Sequence, residues 1–83
     1  MTVEVLYFAW MRERVGHPRE TVRTDAATPR ALIAQLAALS EGHAAAFADG
    51  AVVRCAVDQV LTDLDAPLGQ PREVAFFPPM TGG

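Results

Sequence analysis

The apolar and polar positions of this 83-residue chain change period several times, and each change marks an element. Residues 3–9 (Val-Glu-Val-Leu-Tyr-Phe-Ala) are rich in β-branched and aromatic side chains and predict a strand. Alternation puts Val3, Val5 and Tyr7 on one face and Leu6 and Phe8 on the other. Both faces are apolar, which predicts a central strand covered on at least one side. Residues 10–15 read as one or two helical turns closed by Gly16, and His17-Pro18 then breaks the chain. Residues 19–24 alternate less clearly, but Thr21-Val22-Arg23-Thr24 has strand propensity. Residues 3–24 thus predict a hairpin with a broad connection.

A helix is predicted over 29–40. Thr28 is a suitable N-cap, and Pro29 takes the first helical position, where its missing N–H costs nothing. Leu32, Ile33, Leu36 and Leu39 form one apolar stripe, and Gly42 is the expected stop. Residues 44–47 predict a second short helix before the turn pair Asp49-Gly50. Residues 51–57 predict a strand, Asp58-Gln59 a tight turn, Val60-Leu61 a short strand, 65–69 a loop and 73–77 the last strand. The expected order is β-β-α-β-β-β, an α+β arrangement: a mixed sheet of four to five strands with one main helix packed on one face.

Composition narrows the picture. A chain of this length makes one domain and buries about 60–70% of its unfolded surface. Hydrophobic residues are 51% of the chain, but fifteen of them are alanine, so the core is small. The net charge is −3 and the seven arginines are scattered, so nucleic acid is not an expected partner. No apolar run approaches the ~20 residues that span a bilayer. The start, Met1-Thr2-Val3-Glu4-Val5, has no basic region before an apolar stretch, so neither a membrane association nor a secretory signal is expected, and the cytoplasm is the expected location. One cysteine, Cys55, excludes an internal disulfide and a cysteine-based zinc site. It shares a strand face with Val53 and Val57 and reads as core. His17 and His43 are expected to lack a matching acid or cysteine nearby, and no metal-ligand set and no nucleophile–base pair is visible. Asp58, Asp63 and Asp65 form either an acidic rim for an arginine-bearing partner or a solvated loop.

Two features stand apart: the chain has no lysine, and it ends Pro78-Pro79-Met80-Thr81-Gly82-Gly83. Prolines cannot extend a sheet ladder and favour a stiff, extended chain, whereas the glycines are sterically free. Six extended residues reach at most about 20 Å, against a radius of gyration of about 12 Å for a domain of this length. The chain therefore divides into a folded body, residues 1–77, and a flexible extended tail, residues 78–83. A stiff base and a thin tip suit an arm that threads its carboxyl end into another protein's pocket.

The ending Glu73-Val-Ala-Phe-Phe-Pro-Pro-Met-Thr-Gly-Gly83 resembles that of the small, sulfur-carrying subunits of molybdopterin synthases. So does the opening Val5-Leu-Tyr-Phe-Ala9 with Arg12-Glu13 and Val15-Gly16. Ala56-Val57-Asp58-Gln59 before Asp65-Ala66-Pro67-Leu68 continues the likeness. It covers nearly the whole chain in order. Met80, where a smaller apolar residue is expected, and Asp58, where asparagine is usual, are departures. Neither removes a group the chemistry needs. The resemblance implies the ubiquitin-like β-grasp fold.

The resemblance also implies a chemistry. A carboxylate is a poor electrophile, and in this family a separate adenylating (E1-like) enzyme uses ATP to convert the terminal carboxylate, here Gly83, to an acyl-adenylate. A sulfur donor protein then displaces AMP and leaves a thiocarboxylate. The large synthase subunit uses that sulfur to build the dithiolene of molybdopterin. No cofactor bound to this chain is implied; ATP belongs to the activating enzyme. Gly82 and Gly83 leave a narrow site room to close on the carbonyl carbon, and Pro78, Pro79, Met80 and Thr81 give it access. Phe8, Leu61 and Phe77 are implied to form an apolar surface for the large subunit, in an assembly of two carriers on a dimer of large subunits. Phe8 and Phe77 read equally well as core; because Phe76 and Phe77 must point to opposite faces, one of the two rings is left outside a sheet covered on one side. The chain has no catalytic apparatus of its own.

Other readings stay open. A carrier for thiamine or cysteine synthesis differs only in its partner. A ubiquitin-like protein modifier remains possible, although without a lysine the chain cannot build lysine-linked polymers of itself. A plain β-grasp binding module with an inert tail is the fourth.

Overall fold

The computed structural model describes residues 1–48 and 52–79. The expected turn at Asp49-Gly50, the first residue of the strand expected from 51, and the tail positions Met80, Thr81, Gly82 and Gly83 lie outside the described residues. The elements are β1 (Thr2–Tyr7), α1 (Trp10–Val15), β2 (Arg19–Arg23), α2 (Pro29–Ala37), α3 (Glu41–Ala46), β3 (Arg54–Val57), β4 (Val60–Thr62) and β5 (Glu73–Phe77). The five strands form one mixed sheet in the order β2-β1-β5-β3-β4. β1 pairs antiparallel with β2 and parallel with β5, and β3 pairs antiparallel with both β5 and β4. This is the expected α+β arrangement with β1 in the interior of the sheet.

Alternation along the strands decides where the core lies. Val3, Val5 and Tyr7 of β1, Val74 and Phe76 of β5 and Cys55 of β3 are all fully or almost fully buried. They join Met11 and Val15 of α1, Leu32 and Leu36 of α2 and Ala46 of α3 in one apolar cluster, so all three helices cover the same face of the sheet. The register places Tyr7, Phe76 and Cys55 side by side across three strands. Burying the two rings of that row removes a large apolar area from water, at roughly 25 cal/mol per Å².

Local chemistry sets the helix ends. Thr28 Oγ1 accepts a hydrogen bond from Ala31 N at 3.1 Å and Pro29 opens α2, as the sequence predicts. The helix is shorter than the predicted 29–40, because Ser40 caps a new helix: its Oγ accepts from His43 N at 3.1 Å. α3 therefore starts at Glu41 rather than at residue 44. Gly42 does not stop α2 but sits inside α3, where a Cβ would lie 2.3 Å from the Arg14 carbonyl oxygen. Its bare Cα lets α3 press against α1. At the other end, Asp58 and Gln59 both have positive φ (48° and 69°). That is the geometry of a two-residue hairpin turn, and it confirms the tight turn read between β3 and β4.

Candidate functional site

Among the described residues, the opposite face of the sheet carries no helix, and here the register places the residues that the sequence singled out. Leu61 stands opposite Ala56, Ala56 opposite Ala75, and Ala75 opposite Leu6, one row across four strands. Two positions beyond Ala75 and Leu6 stand Phe77 and Phe8, on the same face. Because β1 and β5 run parallel, both chains leave the sheet at one end, and Phe8 N donates to Phe76 O at 3.2 Å. Phe8 is thereby held beside the end of β5, where Pro78 and Pro79 begin.

Phe8, Ala9, Ala56, Ala75, Phe77 and Pro78, with Gln59 and Glu73 at the side, line a mostly apolar groove of ≈ 480 Å³. The small side chains of Ala56 and Ala75 make its floor, and the two rings its walls. Phe8 is 46% exposed and Leu61 66%, whereas Phe77 is partly buried. Phe76 faces the helices and is fully buried. The choice left open in the sequence thus resolves for Phe8 as surface and for Phe77 as a groove wall, and Leu61 also lies on the surface. Leu61 does not line the groove; it lies on the same face, one strand further out. The sequence reading missed the alanine floor, whose signal was a single alanine inside each of β3 and β5, Ala56 and Ala75.

The acidic residues do other work than an open rim. Asp58 Oδ1 accepts from Arg72 N (2.9 Å) and Glu73 N (3.0 Å), fastening the β3–β4 turn to the start of β5. Asp65 pairs with Arg30 through two hydrogen bonds of 2.6 and 3.1 Å, and the guanidinium holds its carboxyl below the usual carboxylate range. Asp63 Oδ1 accepts from Asp65 N at 3.1 Å. Cys55 is buried and its thiol donates to Thr62 O at 3.2 Å; burial, then the charge of Asp63, pushes its pKa up. This is the inert core cysteine that was expected.

One expectation is overturned. His17 and His43 do have an acid between them: Glu20 lies 2.6 Å from His43 Nε2 and 3.4 Å from His17 Nε2. Tyr7 OH donates to the same carboxylate at 2.6 Å. Burial works against ionisation of Glu20, but the hydrogen bonds from Tyr7 and His43 outweigh it and hold the carboxyl below its usual range. Burial, and then Glu20, raise the Tyr7 phenol well above its ordinary value. His17 and Glu20 are only three residues apart, but Tyr7 and His43 come from distant parts of the chain, so no sequence pattern joins all four. Among the described residues, this is the one group whose donors could hold a metal ion.

A small mixed sheet covered by helices on one face, bare and apolar on the other, and continued by a Pro-Pro segment defines the ubiquitin-like β-grasp class. Within it, the chain belongs to the ThiS family, whose model matches residues 5–83. It is 46% identical over 81 residues to the molybdopterin synthase sulfur carrier subunit of Escherichia coli (strain K12), covering 98% of this chain and 99% of that one. It is 36% identical to the subunit of the same name from Haemophilus influenzae, again over 98% of this chain and 99% of the relative. Among solved structures it resembles a chain of the complex of subunits 1 and 2 of the molybdopterin-converting factor from Helicobacter pylori 26695. That likeness has a TM-score of 0.65, 27% identity and full coverage of both chains.

Proposed function

We propose that this protein is the sulfur carrier subunit of a molybdopterin synthase, working in the cytoplasm. Gly83 would be its reactive terminus and the bare sheet face its docking surface. The observation that carries the reading is the groove formed by Phe8, Phe77 and Pro78 at the end of the sheet where β5 runs into Pro78 and Pro79. A partner that fills this groove takes hold of the base of the tail, so docking energy fixes the direction in which the tip is delivered. The relatives' shared name and the subunit 1–subunit 2 complex support the large synthase subunit as that partner.

In this reading an adenylating enzyme activates the Gly83 carboxylate with ATP and releases pyrophosphate. A sulfur donor protein then displaces AMP to leave a thiocarboxylate. Gly82 and Gly83 present no side chain to either active site, and Thr81, Met80, Pro79 and Pro78 form the arm. The sulfur passes to the pterin precursor held by the large subunit, and two carriers on a dimer of large subunits complete the enzyme. The test is intact-mass spectrometry after incubation with ATP, the adenylating enzyme and a sulfur donor. Exchange of one oxygen for one sulfur, lost when Gly82 and Gly83 are deleted, is the expected result. An unchanged mass overturns the carrier reading. Co-purification with the large synthase subunit, rather than with a thiazole or cysteine synthase, separates this carrier from its relatives.

A further inference from the structure

We propose that His17, Glu20 and His43 form a binding site for a divalent transition-metal ion of the zinc class, on the helix-covered side of the sheet. The chain has only these two histidines, and the fold brings both to one carboxylate. His17 comes from the α1–β2 connection, Glu20 from β2 and His43 from α3, and one donor atom from each lies within 4.8 Å of the others. Two imidazole nitrogens and a carboxylate oxygen are a donor set that suits zinc.

The spacing is more informative than the composition. A separation of 3.4 Å between His17 Nε2 and Glu20 Oε1 is long for a hydrogen bond between nitrogen and oxygen. It is close to the spacing of neighbouring ligands around a tetrahedral ion, about 3.3 Å when bonds are 2.0–2.1 Å long. The 2.6 Å contact between His43 Nε2 and Glu20 Oε2 holds a proton in the metal-free protein. On binding, His43 takes the tautomer with its one proton on Nδ1, and the Nε2 lone pair turns to the ion. The outer groups are already placed for this. His43 Nδ1 lies 2.7 Å from Ser40 Oγ, which can accept from Nδ1–H in the metal-bound tautomer and so hold the ring with Nε2 free. Tyr7 OH orients the carboxylate through Oε2.

Exposure rises across the site. The His43 side chain is 6% exposed, Glu20 21% and His17 43%, so an ion reaches the cluster from the His17 side and keeps a coordination position for water. The site lies on the face away from the apolar groove, so it does not depend on the carrier reading. Its effect is mechanical: one ion ties the α1–β2 connection and β2 to α3.

The experiment uses the full chain without an affinity tag, stripped of metal by a chelator. Co²⁺ is titrated with visible absorption as the readout, then displaced by Zn²⁺, and Zn²⁺ binding is measured by calorimetry. One equivalent of Co²⁺, with the d–d bands of a four- or five-coordinate ion and no thiolate charge transfer, is expected. So is a rise of the thermal midpoint with Zn²⁺ concentration. Loss of an outer hydrogen bond typically weakens such sites 10–100-fold, so Ser40→Ala should lower Zn²⁺ affinity about tenfold and His17→Ala about 100-fold or more. His17 is the most exposed of the three, so His17→Ala keeps the fold and carries the test, with circular dichroism of the metal-free variant as the control. Failure of the wild-type protein to take up one saturable equivalent overturns the proposal. So does equal affinity in wild type and His17→Ala.

Discussion

The two faces of the sheet are built from the same strands and differ in almost everything else. On the covered face, Tyr7, Phe76 and Cys55 stand in one row and every member is buried. On the bare face, the row Leu6, Ala75, Ala56 and Leu61 is small in the middle and ends in a leucine that is two-thirds exposed. Adjacent residues of one strand therefore have opposite tasks: Phe76 closes the core and Phe77 walls a groove. An apolar side chain left in water on a small domain costs solubility, and such surfaces usually mark a partner site. The difference teaches that apolar content by itself does not report stability here. The buried core lies on the covered half, and in the proposed function the bare half is the docking surface.

That contrast can be broken by substitution. The largest effect is expected from Phe76→Ala, which empties a ring from the centre of the covered face. Such truncations typically cost about 3–5 kcal/mol, a large part of the 5–15 kcal/mol that holds a typical domain. Urea unfolding should show the midpoint falling steeply or the fold lost. Its neighbour should behave differently: Phe77→Asp is expected to leave the circular dichroism spectrum intact. It should weaken binding to the large synthase subunit about 30-fold, equivalent to about 2 kcal/mol, as loss of a central contact residue does. Loss of folding in Phe77→Asp would move that ring into the core and erase the distinction between the faces. The smallest effect is expected from Leu61→Ala. Its side chain is exposed, so stability measured by thermal unfolding should change by no more than about 0.5 kcal/mol. A larger loss would mean that the bare face also supports the fold.

Much of this is legible in the sequence. The strand at 73–77 has the predicted bounds, and Thr28-Pro29 opens a helix as read, because a capping hydroxyl and a fixed proline φ act within a few residues. The end of α2 was misread because Gly42 looks like a stop signal when only local propensity is considered. Its actual use is close approach to the Arg14 carbonyl, a contact between residues 28 positions apart. The proposed docking role of Phe8, Leu61 and Phe77 was legible only through the resemblance to a family. Alternation alone separated Phe76 from Phe77 without saying which one faced inward.

What the sequence determined by itself is therefore local or terminal. It covers the strand alternation, the helix starts, the Asp58-Gln59 turn, the absence of lysine and the Pro-Pro to Gly-Gly ending, each set by neighbouring residues or by composition. Three things were left to the tertiary structure. The helices chose which face of the sheet to cover, and so which aromatic of each adjacent pair stays outside. The parallel pairing of β1 with β5 brought Phe8 to the base of the tail. The packing of α3 against α1 and α2 brought His43 to Glu20, so that Tyr7, His17 and His43 gather around one carboxylate. These are long-range outcomes, fixed by how apolar stripes on separate elements bury one another, and no periodicity along the chain encodes them.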